Sequence, residues 1–240
     1  MSTPVGLDIG EVLAALPSFR VGVVVAEGLA IPVERPPAVD VFIAETEARV
    51  AAEIGAAELA DIPELQSWRQ AYKAFGVKKT SYRSSVERLL KNLQRGAGLP
   101  RVNALVDAYN AVSARFRMAV GADDLDRVTL PLAFRYARAH DTFIALGDAQ
   151  QTPDPPKAGE VVYADAVKCL CRRWNWYQDA RSAVSIATTR VVLTVQTLTA
   201  SRADVEAAMA TLVQLIGEIG PALTACAIAD KAAPSIAVAI

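Results

Sequence analysis

Asn103-Ala104-Leu105-Val106-Asp107-Ala108-Tyr109-Asn110 (NALVDAYN) lies where the pattern of this chain changes. Leu105, Tyr109 and Val112 recur at helical spacing, which predicts a helix from Val102 to about Arg117. From Val120-Gly121 onward the sequence turns to short alternating segments. Leu132–Ala137, Thr142–Leu146, Glu160–Asp165, Val167–Arg172 and the β-branched run Ala183–Leu198 all read as strands.

Upstream, Phe19–Ala26 is a β-branched run closed by Gly28 and the prolines Pro32, Pro36 and Pro37, which predicts a buried strand and a turn. Val39–Ala57 and Ile62–Phe75 follow with helical spacing, the second with Asp61 as N-cap ahead of Pro63. Ser84-Ser85-Val86-Glu87 has the form of a capping box, so a helix should run to about Arg95 and stop at Gly96 and Gly98. Thr152–Gly159 is a proline-rich loop. Arg202–Ile219 reads as a last amphipathic helix before Gly220-Pro221, and the apolar tail beyond Ala229 either packs on the body or frays. Helices and strands are segregated along the chain, which predicts an α+β fold with a helix-rich N-terminal half packed on a mixed or antiparallel sheet. We expect one unit over residues 1–240: a strand and helices to about 118, a β-rich part over about 119–200, and a C-terminal helix over about 201–220.

The 240 residues carry a net charge of −1, but the charge is unevenly spread. Trp68–Arg117 holds eleven Lys or Arg against two acids, Glu87 and Asp107, whereas residues 1–67 hold eleven acids and three Arg. Trp68, Tyr72, Phe75 and Tyr82 interleave with the cations. Such a stretch either grips a polyanion by phosphate contact and stacking or forms solvated helix faces. Arg69, Lys73, Lys78, Lys79 and Arg83 are the candidate RNA contacts.

Cys169, Cys171 and Cys226 are odd in number and lack ligand spacing, so neither a disulfide framework nor a metal site is expected, and a reducing, cytoplasmic setting is. No leader precedes an apolar stretch at Met1–Val5, and apolar runs stop short of the ~18 residues of a membrane span, so no membrane association is expected. With a single histidine, His140, the familiar hydrolase and metalloenzyme signatures are absent, and no cofactor is expected. His140 and Asp141 are neighbours that would point to opposite faces of an extended segment, so they do not make a dyad. What remains is a polar constellation: Asp107 and Asn110 three apart on a helix, then Arg172-Arg173-Trp174-Asn175-Trp176-Tyr177. Trp174 and Trp176 either stack on a ligand or pack on opposite faces of a sheet.

These motifs, in order, carry a resemblance. Trp68-x-x-Ala71-Tyr72-Lys73-x-Phe75-Gly76-x-Lys78, Ser84-Ser85-Val86-Glu87-x-Leu89-Leu90, Asn103-x-Leu105-Val106-Asp107-x-Tyr109-Asn110 and Gly121-x-Asp123-Asp124-Leu125-Asp126 look like free-standing relatives of the tRNA-editing domain of the phenylalanyl-tRNA synthetase β chain. The resemblance covers about residues 60–200. Phe134-Arg135-Tyr136-Ala137 with Phe143–Gly147 resembles a strand pair of that domain, and Cys171–Trp176 (CRRWNW) falls where it floors the editing pocket. The resemblance implies hydrolysis of the ester bond of mischarged aminoacyl-tRNA by a positioned water, with no metal or cofactor. Asn110 matches the pocket asparagine and is the implied catalytic residue, with Tyr109, Gly121, Arg172, Trp174 and Asn175 about the substrate. Tyr109 stands where the synthetase has threonine and Gly121 where it has the pocket histidine. His140-Asp141 replaces a Gly-Glu of related free-standing proteins, and Tyr177 replaces an arginine. The alternative is a noncatalytic module that binds tRNA or an amino acid.

Overall fold

A computed structural model describes residues 3–77 and 82–240. In chain order the elements are β1 (Val5–Asp8), α1 (Gly10–Ala15), β2 (Arg20–Glu27), α2 (Pro37–Ile54), α3 (Pro63–Ala74), α4 (Ser85–Gln94), α5 (Ala104–Phe116), β3 (Ala119–Asp124), β4 (Leu132–Tyr136), β5 (Val161–Ala164), β6 (Cys169–Arg172), β7 (Tyr177–Gln178), β8 (Arg190–Thr197), α6 (Arg202–Ile219), β9 (Leu223–Ala229) and β10 (Ser235–Val238). The fold is α+β. Among the described residues no helix is long and apolar enough to cross a membrane.

The strands form two sheets. One has four strands in the order β3-β8-β2-β9, all antiparallel. The other has six in the order β10-β1-β4-β5-β6-β7, where only β1 and β4 run parallel. The near-continuous apolar run of β2 follows from its central position: Val21 to Ala26 are buried on both faces, between β8 and β9. Helix α6 lies on this sheet so closely that a Cβ at Gly22 would sit 2.6 Å from Met209 Sδ and 2.8 Å from Val205 Cγ1. Gly22→Ala is therefore expected to destabilise the protein by about 1–3 kcal/mol, the usual cost of overpacking, as read by urea denaturation. An unchanged midpoint would show that α6 has room to retreat.

Helix α5 is buried along nearly its whole length, with Ala104, Ala108, Ala111 and Ala114 letting α2, α4 and α6 approach. Asn103 caps it, its side chain accepting from Val106 N–H at 3.0 Å, and Arg117 ends it in the left-handed conformation. Ser84 caps α4 in the same way. Its reciprocal half is missing, because Glu87 turns to Arg69 and Arg83 (2.6 and 2.9 Å) instead of back to the cap. The full capping box is at Ser201 and Asp204, at the start of α6.

Several expectations need correction. Asp61 does not cap α3; Ile62 holds that position without a side-chain bond. Thr142–Leu146 makes only isolated bridges, Ile144 with Pro153 and Ala145 with Asp179, because Pro153 cannot donate and the Ile144 N–H goes to the Asp179 carboxylate. Ala183–Leu198 is extended only from Arg190, since Thr188 closes a turn on Ser185 N–H and sends its hydroxyl to Asp124. The tail beyond Ala229 packs on the body, as β10 paired with β1, and the stretch before it is a further strand, β9, paired with β2.

Trp174 sits in the core at 1% exposure, edge-on to Phe19, Trp68 and Phe75 at 4.8, 5.0 and 5.5 Å. Backbone φ values of 47° at Arg173 and 71° at Trp174 break the strand after β6. This rotation sends Trp174 inward and leaves Trp176 near the surface.

Candidate functional site

A cavity of about 350 Å³ opens between the edge of the four-stranded sheet and the β5-β6-β7 end of the other. Strand β3 supplies Gly121 and Asp123 to it, and β8 supplies Thr194 and Gln196. Gly121 and Thr194 are register partners, so the period-2 alternation of both strands aims these side chains to one side. Helix α5 contributes Tyr109 and Asn110; β5 and β6 contribute Tyr163 and Cys171; the β6–β7 hairpin contributes Asn175, Trp176, Tyr177 and Gln178. Ser85 and Arg88, from the first turn of α4, stand at the rim.

Four residues expected at a substrate therefore share one cavity: Asn110, Tyr109, Gly121 and Asn175. Asn110 is half-buried, and no hydrogen bond engages its side chain among the described residues. A Cβ at Gly121 would meet nothing within 4 Å, so this position leaves open space. Asn175 is fixed from both sides: Tyr72 donates to its Oδ1 at 2.7 Å, and its Nδ2 donates to Gln196 Oε1 at 3.3 Å. Gln196 in turn donates to Thr194 at 3.1 Å. This relay ties α3 to the cavity floor, so the polar lining is preorganised.

Two of the expected residues lie elsewhere. Trp174 is core, as described above. Arg172 is buried in a clamp, with Nε and NH2 donating to Glu160 at 3.0 and 2.9 Å and NH1 to the Asp154 carbonyl at 2.9 Å. With a second contact to the Asp154 carboxylate, the guanidinium is consumed in anchoring the 152–159 loop. Asp107 also faces away: its Oδ1 accepts from Val102 N–H at 2.7 Å and its Oδ2 from Arg35 at 3.2 Å. His140 is exposed, and Asp141 is held by both terminal nitrogens of Arg135 at 2.7 Å each, so the two make no dyad.

Sequence reasoning missed Asp123. It is 4% exposed in the cavity wall, and its Oδ1 accepts from Ser182 Oγ at 2.6 Å and Gln178 Nε2 at 3.1 Å. Burial pushes its pKa up to about 7, against which those two hydrogen bonds pull. Tyr109, Tyr163 and Cys171 are driven upward, first by burial and next by the nearby Asp123 charge, so all three stay protonated. The neighbouring Asp124 does different work, accepting from Asp126 N–H and Thr188. The signal was the pair Asp123-Asp124 itself, since two acids in a strand need a reason.

Beside this cavity, Arg69, Lys73 and Arg83 line a groove of about 630 Å³ together with Trp68, Tyr72, Tyr82 and Glu87. Lys78 and Lys79 lie outside the described residues. The cations are less free than their count suggests, because Glu87 engages both Arg69 and Arg83. Lys73 is exposed. Between groove and cavity mouth, Arg173 lies over Tyr82 at 3.9 Å and Trp176 at 4.6 Å, and Arg88 lies over Tyr177 at 5.3 Å. Among the described residues no cluster of three or more His, Cys, Asp or Glu could hold a metal ion.

Among solved structures, an N-terminal fragment of the phenylalanyl-tRNA synthetase β-subunit from Pyrococcus horikoshii is similar at 15% identity, with a TM-score of 0.42. The similarity covers 50% of this chain and 41% of that fragment. No curated protein matches the chain. The B3/4 domain model matches residues 67–220, a span that runs from within α3 to the end of α6 and takes in every residue of the cavity lining. That match shows that the chain belongs to the B3/4 domain family, as a relative of the phenylalanyl-tRNA synthetase β-chain domain that its motifs resemble.

Proposed function

We propose that this protein hydrolyses the ester bond of mischarged aminoacyl-tRNA in trans, in the cytoplasm, using a positioned water and no metal. The observation that carries this reading is the meeting of Asn110, Tyr109, Gly121 and Asn175 at one preorganised cavity beside a cationic, aromatic mouth. Its volume is at the small end of ligand sites, a size suited to an aminoacyl group. In the reaction, water adds to the ester carbonyl, the bond to the ribose oxygen breaks, and that oxygen leaves with a proton as the amino acid departs. Orientation by Asn110 and fixed dipoles is the source of rate here, in keeping with a chain whose one histidine does not line the cavity. Arg69, Lys73, Arg83 and Arg88, with Trp176 at the rim, would meet the acceptor end.

One observation favours binding without hydrolysis. Gly121 places no side chain where the synthetase has its histidine, so the cavity has one fewer group able to reach a reacting ester. A deacylation screen of the purified protein against correctly and incorrectly charged tRNAs separates the readings. Release of an amino acid from some mischarged tRNA supports the enzyme, and tight binding with no release anywhere in the panel supports the module.

For the nucleic acid face, tRNA affinity is expected to fall roughly ten- to fiftyfold between 50 and 200 mM salt, as two or three phosphate contacts release counterions. Lys73→Glu with Arg88→Glu should flatten that dependence. An unchanged salt dependence in that double variant would place the tRNA on another face.

A further inference from the structure

We infer that the cavity seats its ligand by a primary ammonium group, held on Oδ2 of Asp123 with the Tyr163 hydroxyl as second partner. This rests on the cavity being the substrate site, and it specifies what the site recognises: the free α-amino group of the aminoacyl moiety. Both protein donors to Asp123, Ser182 and Gln178, go to Oδ1, and none reaches Oδ2 among the described residues. The hydroxyl of Tyr163, a residue of the same wall, is buried with no hydrogen-bond partner among the described residues. A buried polar group left without a partner is costly, so the Tyr163 hydroxyl, beside a carboxylate oxygen that no described donor reaches, marks the place of a ligand's polar group.

The charges around Asp123 say which group. From α5, β5 and β6 it is faced by Tyr109, Tyr163 and Cys171, all neutral. Lys168 and Asp165, the ionised groups whose charges act most on Asp123, are bound to each other at 2.5 Å, and Lys168 also donates to the Arg127 carbonyl. Arg88 is turned to the Tyr177 ring and the Trp176 carbonyl at the rim. The carboxylate therefore has no cation of its own. A guanidinium would want both oxygens in a fork, but Oδ1 is already doubly used. A metal would want several oxygen ligands, and Asp123 is a lone carboxylate. A compact ammonium needs one oxygen and one or two further acceptors, and Tyr163 and Asn110, each with an acceptor oxygen, line the same cavity.

A consequence is that N-blocked substrates, peptidyl-tRNA among them, are excluded. The test is calorimetric titration of the whole protein with a panel of 3′-aminoacylamido adenosines, which cannot be hydrolysed, and their des-amino counterparts. Wild type should bind the amino forms at least tenfold more tightly. Affinity should pass through a maximum in pH, rising as Asp123 ionises near 7 and falling as the ligand amine loses its proton near ~8. Asp123→Asn keeps an acceptor for Ser182 and Gln178, so it should fold, and it should bind amino and des-amino forms within twofold of each other. Equal binding of the two forms by wild type overturns the ammonium assignment while leaving the cavity reading intact. Binding of no member of the panel overturns both. The wild-type comparison decides the assignment even if the variant does not fold.

Discussion

Asn110→Ala is expected to lower the rate of deacylation about a hundredfold, close to 2.7 kcal/mol of transition-state stabilisation, while the melting temperature stays near that of wild type. The two halves of this expectation come from the same observation. Asn110 lines the cavity with its amide unengaged among the described residues, so its removal strands no partner there. Asn103 and Asn175 supply the contrast. Asn103 caps α5, and its replacement by Ala should cost about 1 kcal/mol of stability. Asn175 joins Tyr72 to Gln196, so its loss should disturb both fold and cavity. Single-turnover deacylation and thermal melting of the Asn110 variant, measured together, decide the point. A variant that melts early and keeps its specific activity would make Asn110 scaffolding and sink its assignment as the catalytic residue.

How much of this was legible in the sequence depended on whether the signal was local. Helix α4 announces itself through Ser84, and α5 and α6 through apolar periodicity, with Asn103 and Ser201 as the caps that the structure adds. Strand β3 does not, since Gly121, Asp123 and Asp124 are poor strand formers and are extended only because β8 pairs with them. Alanine hid β9 in the same way. The cavity divides along that line. Asn110 and Tyr109 could be placed from a helix, whereas Asp123, Thr194 and Tyr163 come together only through the register of two sheets. In CRRWNW the alternation that would have sorted the tryptophans is broken by positive φ at Arg173 and Trp174, which no periodicity rule anticipates. Charge was legible as composition but not as surface. Arg117, counted in the basic stretch, pairs with Glu53 and Glu64 of the acidic one, and Glu87 alone neutralises much of Arg69 and Arg83.

Asp123→Asn is expected to stabilise the protein at pH 8 by up to about 4 kcal/mol while changing little at pH 4. The folded-state pKa of Asp123 lies near 7 against an ordinary 3.8, because burial disfavours the carboxylate more than Ser182 and Gln178 favour it. Between those values the folded chain binds a proton that the unfolded chain has released, so stability falls as pH rises from about 4 to about 7. At about 1.36 kcal/mol for each pKa unit, the full span gives the figure stated. Asp141 and Asp165 act in the opposite sense. Burial alone would raise them, but Arg135 and the Arg138 N–H hold Asp141 down, and Lys168 with backbone N–H groups holds Asp165 down. Their contribution is present above the ordinary carboxylate range and is lost as pH falls below it. Wild type should therefore be most stable at about pH 4, and the Asn variant should lack the decline on the alkaline side. Urea denaturation across pH 4–8 reads this directly, and superimposable profiles for the two proteins would show that Asp123 is not the group responsible. The same slope bears on function. A carboxylate that weakens the fold at working pH, and whose second oxygen no donor reaches among the described residues, would be relieved by the cation that we infer enters the cavity. An amine-bearing adenosine analogue should then raise the melting temperature more at pH 7.5 than at pH 5, where Asp123 is already protonated.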